Sequence, residues 1–125
     1  EQLTTNDILF IDSSHMIRPQ GDVLFIYLQL LPLIKPGVYI HIHDIFTPKD
    51  YLDEWIFKNI RLWNEQYLVE AFMSYNQNFK IIGALNFLRH QHYNEFTSKC
   101  PVLKKHIESG IEREPGSLWL MKTKQ

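Results

Sequence analysis

Two short runs of acid and imidazole are where chemistry is expected. The first is Asp12-Ser13-Ser14-His15, the second His41-Ile42-His43-Asp44-Ile45. Neutral imidazole and carboxylate are the usual ligands of a divalent cation. Imidazole is also the usual general base near neutral pH. Each residue has a plainer role open to it. Asp12 suits a turn cap and His15 an ordinary loop position. His41 lies a full pleat inside its apolar segment, where a hydrogen-bonded structural histidine fits better, and His43 fits either role. His90 and His92 repeat the His-x-His spacing in a weakly patterned stretch, and such a short pattern arises easily by chance. Phe46, Tyr51, Trp55 and Trp63 follow the second run. They fit core packing, or the wall of an aromatic substrate pocket.

The segments that must position these residues follow from hydrophobic pattern. Asp7–Asp12, DILFID, is a short apolar run between polar flanks, and predicts a strand buried on both faces. Asp22 is placed to cap a helix in which Leu24, Tyr27, Leu28 and Leu31 share a face. Pro32 and the Lys35-Pro36-Gly37 turn end it. Val38–His43, VYIHIH, is a second strand, so the first third of the chain predicts a βαβ unit with parallel pairing. Both chemical runs then lie at strand carboxyl ends, where open α/β sheets bind ligands. Further on, Tyr51–Phe57 predicts a short helix. Asn64 caps a longer one with Leu68, Ala71, Phe72 and Tyr75 on one face. Phe79–Leu85 is a third strand, Ser117–Met121 a last one, and a short helix follows Pro101 and ends at Gly110.

Composition narrows the classes. A chain of 125 residues, 45% hydrophobic and 22% charged, is one globular domain and not a disordered one. A (β/α)₈ barrel needs about twice that length. The net charge is −1 and the bases form no stripe, so no nucleic-acid partner is expected. Cys100 is the one cysteine, which suits a reducing compartment. The longest apolar stretch, Val23 to Ile34, is broken by Gln29 and Pro32 and falls short of the ~20 residues of a membrane span. With no basic leader before an apolar run, a cytoplasmic location and no membrane partner are expected. An opening residue Glu1 in place of methionine fits a piece of a longer chain.

The runs DILFIDSSHMIRPQGD, LPLIKPGVYIHIHDIF, WNEQYLVEAFMSYN and GSLWLMK resemble the C-terminal half of class I S-adenosylmethionine-dependent methyltransferases, most of all the small-molecule O-methyltransferases of the methyltransferase domain 24 type. The resemblance covers nearly the whole chain. It implies an α/β fold: part of a Rossmann-like methyltransferase sheet of about four strands with flanking helices. Their spatial order would be 7–12, 38–44, 117–122, 79–85, with 117–122 antiparallel to the rest. It implies that Asp12 binds a divalent metal and that His15 deprotonates the acceptor hydroxyl. It also sets Asp12, Ser13 and Ser14 beside the cofactor. Where relatives end the fifth strand in two acids, this chain has His43-Asp44, so Asp44 matches the metal site and His43 departs from it.

Such enzymes hold the cofactor on a glycine-rich loop. The five glycines here, at 21, 37, 83, 110 and 116, form no Gly-x-Gly pair. The expectation is therefore a single domain, residues 1–125, lacking the cofactor-binding half and inactive alone, with S-adenosylmethionine bound only in an intact enzyme. The strand at 7–12 would then expose an apolar edge, and a homodimer through that edge is expected. Two other readings stay open. One is a metal-dependent hydrolase or oxygenase using Asp12, His15, His43 and Asp44. The other is a non-catalytic, dimerising interaction module.

Overall fold

A computed structural model describes residues 3–124. It is mixed α/β, with one four-stranded open sheet and flanking helices. Strands β1 (Ile8–Ile11), β2 (Tyr39–His43), β3 (Phe79–Ala84) and β4 (Ser117–Lys122) lie in the order β1-β2-β4-β3. β1 pairs parallel with β2, while β4 runs antiparallel to both β2 and β3. That is the order and direction that the resemblance implied. The link from β1 to β2 runs through α1 (Asp22–Phe25), a π-helical turn (Ile26–Leu30) and α2 (Leu31–Leu33). It closes on Gly37, whose φ of +85° and contact with Thr5 exclude any side chain: a Cβ there would lie 2.7 Å from Thr5 Cγ2.

Residues alternate across the strands, and one face of the sheet takes the core. Ile11, Ile40, Ile42, Leu118 and Leu120 pack there against Val23, Tyr27 and Leu31 of the first helical segment. Val69 joins them from α3 (Glu65–Tyr75). Each such side chain contributes roughly 1.5–3 kcal/mol by leaving water. The opposite face is open. Ile8 and Phe10 are 56% and 55% exposed, so β1 is not buried on both faces as expected. Across that face the Phe10 ring lies 5.0 Å from His41, which stacks on Trp119 at 4.4 Å.

Several local expectations change. Gly21 occupies the cap position of α1; Asp22 is the first helical residue, and its carboxylate reaches elsewhere. Val23, Tyr27 and Leu31 form the buried stripe, whereas Leu28 is 64% exposed. Pro32 cannot bond the carbonyl four residues back, and the wider π turn before it keeps a four-residue spacing on the core face. The expected Tyr51–Phe57 helix is a single π turn, Glu54–Lys58. On α3, Leu68 and Phe72 are half-buried, but Ala71 and Tyr75 face solvent, and Glu65, Gln66 and Val69 are buried instead. The weakly patterned stretch holds α4 (Leu85–Gln91) and α5 (Tyr93–Lys99), and the short helix expected after Pro101 is α6 (Pro101–Glu108). Lys122, 1% exposed at the end of β4, gives its Nζ to the carbonyls of Leu31 and Pro32, at 3.2 and 2.7 Å. A cation there suits the carbonyl end of a helical segment. No helix among the described residues is long and apolar enough to cross a membrane.

Candidate functional site

The carboxyl ends of β1 and β2 are neighbours, and both chains turn sharply there. His15 and Asp44 each have φ +56°, a left-handed conformation unusual outside glycine and held only where the surroundings enforce it. For Asp44 the enforcing contact is Gly116. The Asp44 N–H donates to the Gly116 carbonyl at 2.7 Å, and a Cβ on Gly116 would lie 3.1 Å from Asp44 Cα and 2.8 Å from Phe46 Cζ.

For His15 the enforcing group is α3. The N–H groups of Asn64 and Glu65 both donate to the His15 carbonyl, at 2.9 and 3.1 Å. Asn64 stands at the cap position, but its side chain makes no cap bond; its Oδ1 accepts from Ile17 N–H instead. Glu65 is fully buried. Its carboxyl accepts from Ser13 Oγ at 2.6 Å and Tyr27 Oη at 2.9 Å, and lies 2.8 Å from His15 Nδ1. The first turn of a helix favours such an acid. Ser14 gives its N–H and Oγ to Asp22, at 2.7 and 2.5 Å, and these two bonds hold the Asp22 carboxyl below its usual range. The Ser13–His15 loop is thus clamped from both sides.

Donation from His15 Nδ1 to Glu65 sets the tautomer and leaves Nε2 on the rim. Nε2 lies 3.4 Å from Asp12 Oδ1 and 3.9 Å from Asp44 Oδ2. His43 Nδ1 lies 3.3 Å from Asp44 Oδ1 and 3.6 Å from Asp12 Oδ1. Burial opposes charge on His15, but the Glu65 hydrogen bond and the charges of Glu65, Asp44 and Asp12 outweigh it and raise its pKa. Four of the expected residues, Asp12, His15, His43 and Asp44, therefore converge. The tightest group is not the expected metal set: one donor atom each of Asp12, His15 and His43 lie within 4.8 Å of one another, with His15 in the place of Asp44. The set suits a divalent ion, and the buried His43 Nδ1 has no hydrogen-bond partner among the described residues.

His41 does not join them. Its Nε2 lies 3.0 Å from Ser117 Oγ, its ring is stacked on Trp119, and burial lowers its pKa. His90 lies 2.8 Å from Glu114, and His92 pairs with Glu95 at 3.0 Å. The aromatic residues form a wall beside His15, whose ring is 4.2 Å from Trp63. Trp63 meets Trp55 at 5.1 Å, and Trp55 meets Phe46 at 5.3 Å. Phe46 and Tyr51 are almost wholly buried, so Trp55 and Trp63 supply most of the exposed wall. Gln66 braces this loop, accepting from Phe46 N–H at 2.8 Å and donating to the Lys49 carbonyl at 2.6 Å. A cleft of about 400 Å³ is lined by Phe46, Lys49, Asp50, Tyr51, Asn86 and Glu114, and by none of Asp12, His15, His43, Trp55 and Trp63.

Glu65, Asp22 and Gln66 are positioning residues that local sequence pattern does not mark. A helix-opening acid between Asn64 and Gln66 was visible, but its partners lie 38 to 52 residues away. Fold and site define an open mixed α/β sheet with an acid–imidazole rim at the ends of two parallel strands. No family model, curated protein or solved structure matches the chain.

Proposed function

We propose that the chain is the acceptor-side part of a Rossmann-like, S-adenosylmethionine-dependent O-methyltransferase acting on a small-molecule hydroxyl. One observation carries this above the rest: His15, oriented by the buried Glu65, holds Nε2 at the rim between Asp12 and Asp44. The strand order and the reversed β4 support it, being what the resemblance implies. In this role His15 Nε2 takes the proton of the acceptor hydroxyl, Glu65 stabilises the imidazolium, and Trp55 and Trp63 shield the acceptor from water. Asp12, His43 and Asp44 would hold a divalent ion, which lowers the pKa of a bound hydroxyl. Ser13 and Ser14 commit their hydroxyls to Glu65 and Asp22, and the chain has no glycine-rich loop. These residues do not make a cofactor cradle by themselves.

Two measurements test this. Calorimetric titration of S-adenosylhomocysteine into the 125-residue chain should show no binding. In the longest natural form of the protein that contains the chain, methyl transfer to a hydroxyl acceptor should be lost on His15→Ala. Transfer that survives this substitution rules out the assigned role.

The compact Asp12–His15–His43 group favours a second reading. Two imidazoles and a carboxylate are the ligand set of non-haem iron oxygenases. Stoichiometric iron retained through purification, with no methyl transfer, would decide for it.

A further inference from the structure

The segment between the second π turn and α3 folds back on itself. The Arg61 N–H donates to the Trp55 carbonyl at 2.8 Å, and Ile60, just before it, has φ +46°. A β-branched residue rarely adopts that conformation, and here the Arg61–Trp55 backbone bond closes the turn around it. The result is that Trp55 and Trp63 face one guanidinium. Arg61 Cζ lies 4.3 Å from the Trp55 ring centre and 4.5 Å from that of Trp63, in the angle between two rings set at 76°. Arg61 is exposed, and no carboxyl among the described residues pairs with it.

A guanidinium lying over ring faces keeps those N–H donors that point away from the rings free for another group. Those donors match the two oxygens of a carboxylate or phosphate. Being held between two rings, the side chain has little freedom left to lose on binding. Trp63 touches both the guanidinium and, at 4.2 Å, the His15 imidazole. The cation therefore stands about one aromatic ring away from the candidate base.

We propose that Arg61, braced by Trp55 and Trp63, binds an oxyanion on the acceptor, a carboxylate or a phosphate, while the acceptor's hydroxyl faces His15. The substrate class is then a small hydroxylated acid or phosphate ester, not a neutral hydroxyl compound. This deepens the assignment of the rim as an acceptor site and rests on it.

The test is binding, read without methyl transfer. The chain has three tryptophans, and Trp119, stacked on His41, is an internal reference. Benzoate, phenyl phosphate and neutral benzyl alcohol are titrated separately while the indole N–H resonances are followed. The expected result is movement of the Trp55 and Trp63 signals with at least one anion and not with benzyl alcohol. Whichever anion binds more tightly identifies the group as carboxylate or phosphate. Arg61→Met, which keeps the stem and removes the charge, should weaken that binding at least tenfold. Arg61→Lys, which keeps the charge and loses the fork, should fall between, and it stands in if the methionine variant does not fold. Equal response to benzyl alcohol, no response to either anion at millimolar concentration, or unchanged affinity in the variants overturns the proposal. Such a result leaves the role of His15 to the transfer assay. Anion binding that persists when His15→Ala leaves transfer intact would instead separate the Arg61 site from that role.

Discussion

Glu65 and His15, fifty residues apart in sequence, are joined twice: the Glu65 N–H donates to the His15 carbonyl at 3.1 Å, and the Glu65 carboxyl meets His15 Nδ1 at 2.8 Å. One contact fixes the backbone turn and the other fixes the ring. Glu65→Gln keeps the shape but presents N–H groups to donors. It should destabilise the fold by about 1–3 kcal/mol, measured by urea unfolding. In a protein competent for transfer, His15→Ala should lower the rate by roughly 10²–10⁴-fold, the usual contribution of a general base.

The same pair sets a pH dependence. The folded state raises the His15 pKa above its ordinary value of 6.5. Its stabilising contribution is therefore fully present below pH 6.5 and is lost as pH rises through the folded pKa. Metal-free protein should lose stability across that window, and His15→Gln should flatten the slope. A base must be neutral to act, so transfer should rise with pH over the same range.

Asp22 acts in the opposite sense. The Ser14 bonds lower its pKa, so its contribution is present above its unfolded value and fades as pH falls below about 3.8. Asp22→Asn should reduce the acid-side loss of stability. It should also loosen the Ser13–His15 loop, detectable as faster amide exchange at Ser14.

Metal binding separates two roles for His15. Asp12→Asn and His43→Ala should each abolish or sharply weaken Co²⁺ or Zn²⁺ binding measured by calorimetry. If His15 is a ligand, Glu65→Gln should cost a further 10–100-fold, roughly the effect of losing a partner behind a metal-bound imidazole. If His15 is the base, Glu65→Gln should leave metal affinity unchanged and lower transfer alone.

The sheet itself is asymmetric. Ile42→Ala on the covered face should cost about 2–5 kcal/mol. Ile8→Ala on the open face should change stability by less than about 0.5 kcal/mol. β1 is an edge strand, and Ile8 and Phe10 beside it are exposed, so self-association through this edge is expected. Sedimentation should show a dimer that Phe10→Lys converts to monomer, with a melting temperature that no longer depends on protein concentration. A wild-type chain that stays monomeric at high micromolar concentration removes the dimer.

Local pattern in the sequence located the four strands to within about a residue at most ends, because period-two burial and turn residues are written into neighbours along the chain. It also placed Asp12, His15, His43 and Asp44 at strand carboxyl ends, which is enough to bring them together once two strands pair in parallel. The strand order came from resemblance, since four short strands admit many arrangements. Tertiary structure alone decided the rest. Which face of β1 is covered depends on where helices pack, not on the apolar run Ile8–Ile11. Whether Asn64 caps its own helix or bonds Ile17 depends on a loop 47 residues away. Glu65 becomes a site residue, and the turn that seats Arg61 between Trp55 and Trp63 comes to lie beside His15, only through contacts that the folded backbone creates. Strand and helix propensities act over a few residues, whereas the orientation of His15 and the placing of a cation near it are long-range contacts that no local pattern encodes.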